Sequence, residues 1–211
     1  MFNLDPLFLI PFILVLLPAL TLHEFGHAWT AVHFGDPTPR QAGRLSLDPL
    51  KHLDPLGTIF LFIAHIGWAK PVPVNPANFN HPRADLWVSL AGIIANLIQA
   101  VAYALAWRAL YPFPITPLGK GLATLLSLGI MLNLSLALFN LLPIFPLDGS
   151  HVVKNLLPLE QSYRFSRFSE RYGAAILMGL LMIGYVSDFS PLSVLIGVPS
   201  RWLVSLLLYG M

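Results

Sequence analysis

The stretch Leu16-Leu17-Pro18-Ala19-Leu20-Thr21-Leu22-His23-Glu24-Phe25-Gly26-His27-Ala28-Trp29 sets two imidazoles and a carboxylate inside an apolar run that extends from about Leu7 to Phe34. Crossing roughly 30 Å of hydrocarbon takes about 20 helical residues, so this run is long enough to span a bilayer. On a helix, His23 and His27 project from one face, the arrangement a tetrahedral zinc ion takes for its first two ligands, and Glu24 is positioned to move protons for water at such an ion. An ionisable side chain in apolar surroundings costs on the order of 2.5–3.5 kcal/mol. Three on adjacent turns therefore require a compensating interaction, and a divalent cation is the economical one.

Composition agrees with a membrane setting. Hydrophobic residues make up 56% of the 211-residue chain and charged residues 10%, and the mean hydropathy is +0.71, far from a soluble domain. A net charge of +2 gives no basis for nucleic-acid binding. The chain has no cysteine, so disulfides and thiolate metal sites are excluded and any metal is held by His, Asp or Glu. The first twenty residues contain Asp5 and no Lys or Arg, which reads as a retained membrane helix rather than a cleaved leader.

Further apolar stretches run from about Gly57 to Trp68, Leu86 to Tyr111, Leu122 to Phe145, Ala174 to Val186 and Leu192 to Tyr209. The expected fold is an all-α polytopic membrane protein with five to six apolar segments. A three-helix core covers about residues 6–150, with a re-entrant or extended insertion between its first two helices, and additional membrane helices cover about residues 172–210. All belong to one domain, 1–211. Gly57 to Trp68 is short for a span and reads as dipping into the bilayer. Arg40, Arg44, Lys51, Lys70 and Arg83, and then Lys154, Arg164, Arg167 and Arg171, fall on one side under that topology, the cytoplasmic side.

The third ligand expected on this reading is Asp148, in Asn140-Leu141-Leu142-Pro143-Ile144-Phe145-Pro146-Leu147-Asp148-Gly149. With a dipping insertion it lies at the same end of the bundle as His23 and His27, while a spanning one would separate them. Pro143 and Pro146 are expected to break the helix ahead of it, and Gly149 to supply an unusual backbone conformation. Asn140 is read either as a contact to substrate or oxyanion or as an interhelical hydrogen bond, and Asn96 and Asn133 as interhelical bonds. His33, His52, His81 and His151 read as structural, and His65 lies in the dipping segment.

Four ordered motifs resemble the site-2 protease family of intramembrane zinc metalloproteases, in its compact prokaryotic form without a PDZ domain: His23 to His27, Gly67-Trp68-Ala69-Lys70-Pro71-Val72-Pro73-Val74-Asn75, Ser89-Leu90-Ala91-Gly92-Ile93-Ile94-Ala95-Asn96, and Asn140 through Gly149. Ile93 and Ser150 depart from the family's frequent Pro and Gly, away from any ligand. The resemblance implies one Zn²⁺ on His23, His27 and Asp148, with Glu24 catalytic. It implies hydrolysis of a peptide bond within or near the transmembrane segment of a membrane-protein substrate, as in regulated intramembrane proteolysis, at the cytoplasmic side of a prokaryotic inner membrane. Expected partners are that substrate and membrane lipid, with a homodimer or a regulatory membrane protein left open. The competing class is a metal or proton transporter using the same His/Asp cluster. The paired half-structures expected of one are not visible in the sequence.

Overall fold

The computed structural model describes residues 6–64, 67–187 and 189–210; His65 lies outside them. The helices are α1 (Pro6–His33), α2 (Thr38–Gln41), α3 (Pro55–Ala64), α4 (Ala84–Leu110), α5 (Pro117–Asn140), α6 (Asp148–Leu156), α7 (Leu159–Val186) and α8 (Val198–Tyr209), the last preceded by a π-helical turn at Ser193–Gly197. Among the described residues there is no strand, only an isolated antiparallel bridge between Leu53 and Ala69. Among the described residues, three helices are long and apolar enough to cross a membrane, over Leu9–His33, Ala84–Leu110 and Pro117–Asn140.

These three pack against one another through small and polar residues. Ala19, Ala28 and Ala31 of α1, Ala100 and Ala104 of α4, and Ala137 of α5 are buried, as are Asn96 and Asn133. Large apolar side chains instead face outward, including Ile10 and Leu14 on α1 and Ile98 and Leu105 on α4. Lipid solvates such side chains as well as a protein interior does, so close backbone approach drives the packing. At the other end of the bundle Tyr103, Trp107, Ile130 and Leu134 pack with Leu203, Val204, Leu207 and Leu208 of α8.

The remaining apolar stretches form shorter or divided elements. Gly57 to Trp68 yields α3, whose ten residues rise about 15 Å. Ala174 to Val186 is the second half of the 28-residue α7, whose first half carries Glu160, Arg164, Arg167, Glu170 and Arg171. α7 is fastened to the loop before α6: the Phe145 N–H donates to Ser169 Oγ at 3.0 Å, and a Cβ on Gly173 would meet Phe145 N at 2.9 Å. The fourth apolar stretch is offset from its expected limits. α5 starts at Pro117, where Thr116 Oγ accepts from the Gly119 N–H, and ends at Asn140, three residues before Pro143. Gly149 has no positive φ. It is a helical residue whose missing Cβ lets the Leu141 carbonyl approach, so close packing replaces the expected special conformation.

The connection after α1 is organised by Asp36, which is fully buried. Its Oδ1 accepts from the Thr38 N–H at 3.1 Å, Thr38 Oγ1 at 2.5 Å and Asn78 Nδ2 at 2.8 Å, and its Oδ2 from the Asn75 N–H at 2.7 Å. One carboxylate thus joins the end of α1 to the segment that begins near Lys70. Burial by itself would raise the Asp36 pKa, but the bonds from Asn78, Thr38 and Asn75 outweigh it and hold the carboxyl below its ordinary value. Asp36→Ala is expected to cost about 1–3 kcal/mol at neutral pH by leaving these donors unpaired, read as a lower melting temperature of the detergent-solubilised protein. A depressed folded-state pKa contributes stability above the unfolded value of about 3.9 and loses it as pH falls through the folded value. The gap between wild type and variant therefore narrows below about pH 4.

Candidate metal centre

α1 runs antiparallel to α4, and the match between them fixes both imidazoles. Val88, Gly92 and Asn96 follow one another at four-residue intervals along one face of α4. His27 Nδ1 lies 2.7 Å from the Val88 carbonyl oxygen, and His23 Nδ1 lies 2.7 Å from Asn96 Oδ1. A carbonyl only accepts, so His27 Nδ1 carries a proton. Asn96 is oriented by its amide: Nδ2 donates to the Ala19 carbonyl at 3.2 Å and to Asn133 Oδ1 at 2.9 Å. Asn133 is set in turn by donating from Nδ2 to the Gly129 carbonyl at 2.9 Å. The chain of bonds ends on backbone, leaving Asn96 Oδ1 as acceptor and His23 Nδ1 as donor.

In the neutral imidazoles both Nε2 atoms then present lone pairs, and they face each other at 3.1 Å. Asp148 Oδ2 stands 3.3 Å from His23 Nε2 and 3.4 Å from His27 Nε2. That oxygen is buried and has no hydrogen-bond partner. Three acceptors therefore form a triangle with edges of 3.1–3.4 Å. A proton could relieve one edge; a divalent cation relieves all three. Four-coordinate zinc with bonds of about 2.0–2.1 Å holds neighbouring donors about 3.3–3.4 Å apart, so the spacing fits this ion, and two imidazoles with a carboxylate are a common zinc donor set. Among the described residues this is the one cluster of three or more His, Cys, Asp or Glu side chains spaced to hold a metal.

Space at the cluster is limited by Gly92. A Cβ there would collide with His27 Nε2 and stand 2.6 Å from His23 Cε1 and 2.7 Å from His23 Nε2. Absence of a side chain at this position lets α4 lie directly behind the converging nitrogens. Asp148 is supplied by α6 as its first residue, where the exposed amides at a helix N-terminus favour a carboxylate. α6 is tied to α4 by Asn155, whose Nδ2 donates to Asp85 Oδ2 at 2.7 Å.

Glu24 is buried, and its Oε2 lies 3.9 Å from Arg44 Nη2. Asn140, by contrast, donates from Nδ2 to the Leu136 carbonyl at 3.1 Å, within its own helix. Asn96 and Asn133 do bridge helices as expected, and they also orient His23, which was not anticipated. The available signal was the four-residue interval between Gly92 and Asn96. His52 and Arg44 form a buried pair, whereas the sequence alone groups Arg44 with the basic residues of the cytoplasmic side. His33 stacks on Trp29, and His81 lies against Phe34.

The family model for peptidase family M50 matches residues 113–183, covering α5, the Asp148 loop, α6 and most of α7. YwhC of Bacillus subtilis, named as a candidate zinc metalloprotease, is 40% identical over 182 residues, 84% of this chain and 83% of its own length. Rip2 of Mycolicibacterium smegmatis, named likewise, is 36% identical over 179 residues, 81% of this chain and 67% of its own. MJ0392 of Methanocaldococcus jannaschii, named as a zinc metalloprotease, is 23% identical over 175 residues, 82% of this chain and 42% of its own. No solved structure matches the chain. With a relative of that identity aligned over most of both chains, and with three membrane-length apolar helices, this chain belongs to peptidase family M50 and is a membrane zinc metalloprotease.

Proposed function

We propose that this chain hydrolyses a peptide bond within or beside the transmembrane segment of another membrane protein, with His23, His27 and Asp148 holding Zn²⁺ and Glu24 as general base. The observation that carries the reading is the triangle of His23 Nε2, His27 Nε2 and Asp148 Oδ2 at tetrahedral spacing inside a bundle of membrane-length helices. Zinc, when bound, supplies a Lewis acid that acidifies water and polarises a carbonyl. Glu24 accepts a proton from the attacking water as the water oxygen bonds to the scissile carbonyl carbon. As the C–N bond breaks, Glu24 returns that proton to the leaving nitrogen. Val88, Asn96 and Asn133 hold the protonated Nδ1 atoms, so that the Nε2 atoms are the ones aimed at the ion.

Substrate features follow from the surroundings. An apolar recess on α1, lined by Leu14, Leu17, Thr21 and Leu22 and walled by Leu47 and Pro49, lies in the turns before His23 and suits the side chains of a membrane helix. A helix hides its peptide bonds, so the substrate must unwind locally. The non-helical Lys70–Asn75 segment offers backbone to an extended strand, in the manner of strand addition. α3 is about half the length of a span, which supports a dipping insertion with the ends of α1 and α5 and the start of α4 on one side. The basic residues of those connections support the reading of that side as the cytoplasmic face of a prokaryotic inner membrane. Arg44 is buried and adds nothing to the charge of that face.

Glu24→Gln is expected to keep zinc, by elemental analysis of the purified protein, and to lower cleavage of a single-span model substrate by about 10²–10⁴-fold. Retained cleavage would overturn the assignment of Glu24. Asp148→Ala should lose zinc in the same assay, and full zinc occupancy would remove this residue from the site. Gly92→Ala should lower zinc affinity by about 10–100-fold, measured by competition with a chelating dye. Gly121→Ala, at a position with open space, is the control expected to bind normally.

A further inference from the structure

Arg44 is 3% exposed and His52 1%, although both belong to a connection between membrane helices. The Arg44 guanidinium reaches three separate parts of the chain. Nη1 donates to the Pro71 carbonyl at 3.1 Å, and Nη2 donates to the Lys70 carbonyl. Nη2 also approaches His52 Nδ1 at 3.4 Å. His52 Nε2 lies 2.7 Å from the Ser46 carbonyl, which requires the proton on Nε2 and leaves Nδ1 an acceptor for the guanidinium. The imidazole is then neutral. Among the described residues the one anion within 4.0 Å of this buried cation is Glu24, at 3.9 Å.

A buried guanidinium that faces two carbonyls, an imidazole lone pair and a single carboxylate is held by geometry that an ammonium cannot reproduce, since the planar fork presents several donors in fixed directions. The engaged carbonyls belong to the segment proposed to receive substrate. Pro71 and Pro73 lack N–H groups, and among the described residues the Val72 and Val74 amides donate to no protein acceptor. Lys70 itself is tied to the same cluster by its N–H, which donates to the His52 carbonyl at 2.8 Å.

We propose that Arg44 is a positioning residue for the hydrolysis: its guanidinium joins the Glu24 carboxylate to the Lys70–Pro71 backbone, so that the proton acceptor and the strand-receiving segment hold one fixed spacing. The inference rests on the protease reading and on Glu24 as its base. His52 supports the guanidinium from the far side. Misplacement of reacting groups by about 1 Å costs up to about 10²-fold in rate, and the effect falls on the chemical step because the zinc donors are untouched.

The test uses the full-length zinc-loaded protein in liposomes. Its substrate is a single-span model peptide with a Gly-Pro pair in the apolar segment and a fluorophore and quencher at its ends. Arg44→Gln should lower kcat by about 30–100-fold with KM changed less than about threefold and zinc content unchanged. Arg44→Lys should recover less than about a tenth of wild-type kcat. Adding methylguanidinium to Arg44→Ala should raise its rate at least about tenfold, a rescue that a merely misfolded variant does not show. Hydrogen exchange at the Lys70 amide, which donates to the His52 carbonyl, should quicken in Arg44→Gln. Wild-type cleavage accompanied by normal kcat in Arg44→Gln, or by zinc loss in proportion to activity, overturns the positioning role and leaves the protease reading standing. Failure of the zinc-loaded wild type to cleave overturns the protease reading, and the catalytic role of Arg44 with it. Should Arg44 variants not reach the membrane, His52→Phe should lower kcat by about five- to tenfold, and an unchanged value overturns the proposal.

Discussion

Three electron-pair donors, His23 Nε2, His27 Nε2 and Asp148 Oδ2, at 3.1, 3.3 and 3.4 Å from one another, are the constraint on which the other features depend. Such a triangle repels itself unless a cation occupies its centre, and its members come from α1 and α6. Every nearby arrangement serves either to point the lone pairs inward or to let them approach. α4 supplies the Val88 carbonyl, the Asn96 amide and the clearance at Gly92. α5 supplies Asn133 and then, through its loop, Asp148. The tautomer of His23 thus depends on a helix that contributes no donor of its own to the triangle, and helix packing and metal chemistry cannot vary independently.

The membrane helices and the candidate donors were legible in the sequence for a physical reason. Ionisable groups inside apolar runs are expensive, so His23, Glu24, His27 and Asp148 stand out against their surroundings. Length alone identified α1, α4 and α5, although α5 begins at Pro117 and stops at Asn140 instead of following the apolar run to Phe145. A polar turn with a capping Thr116 and a loop under packing constraints set those ends, and hydropathy reports neither. α7 was half visible, because its charged first half does not resemble a membrane segment.

Contacts between distant residues were not legible. Nothing in Arg40 to Lys51 distinguishes the buried Arg44 from its solvated neighbours, since the pairing that buries it comes from Glu24, Lys70 and Pro71. Likewise Gly92 is one small residue in a run of small residues. Its importance arises only when α1 is laid against α4 and a single methyl is found to have no room.

α7 carries charge as far as Arg171 and none of Asp, Glu, Lys or Arg from Gly173 to Val186. Because Phe145 is fastened to Ser169 and abuts Gly173, the loop that delivers Asp148 lies at the level of this change. Exposed charged side chains favour water, and Glu160, Arg164, Glu170 and Arg171 are exposed, which favours hydrated surface beside that loop. A hydrolytic reaction there would draw its consumed reactant from an adjoining wet compartment, with no need for a pore through the dry remainder of the bundle.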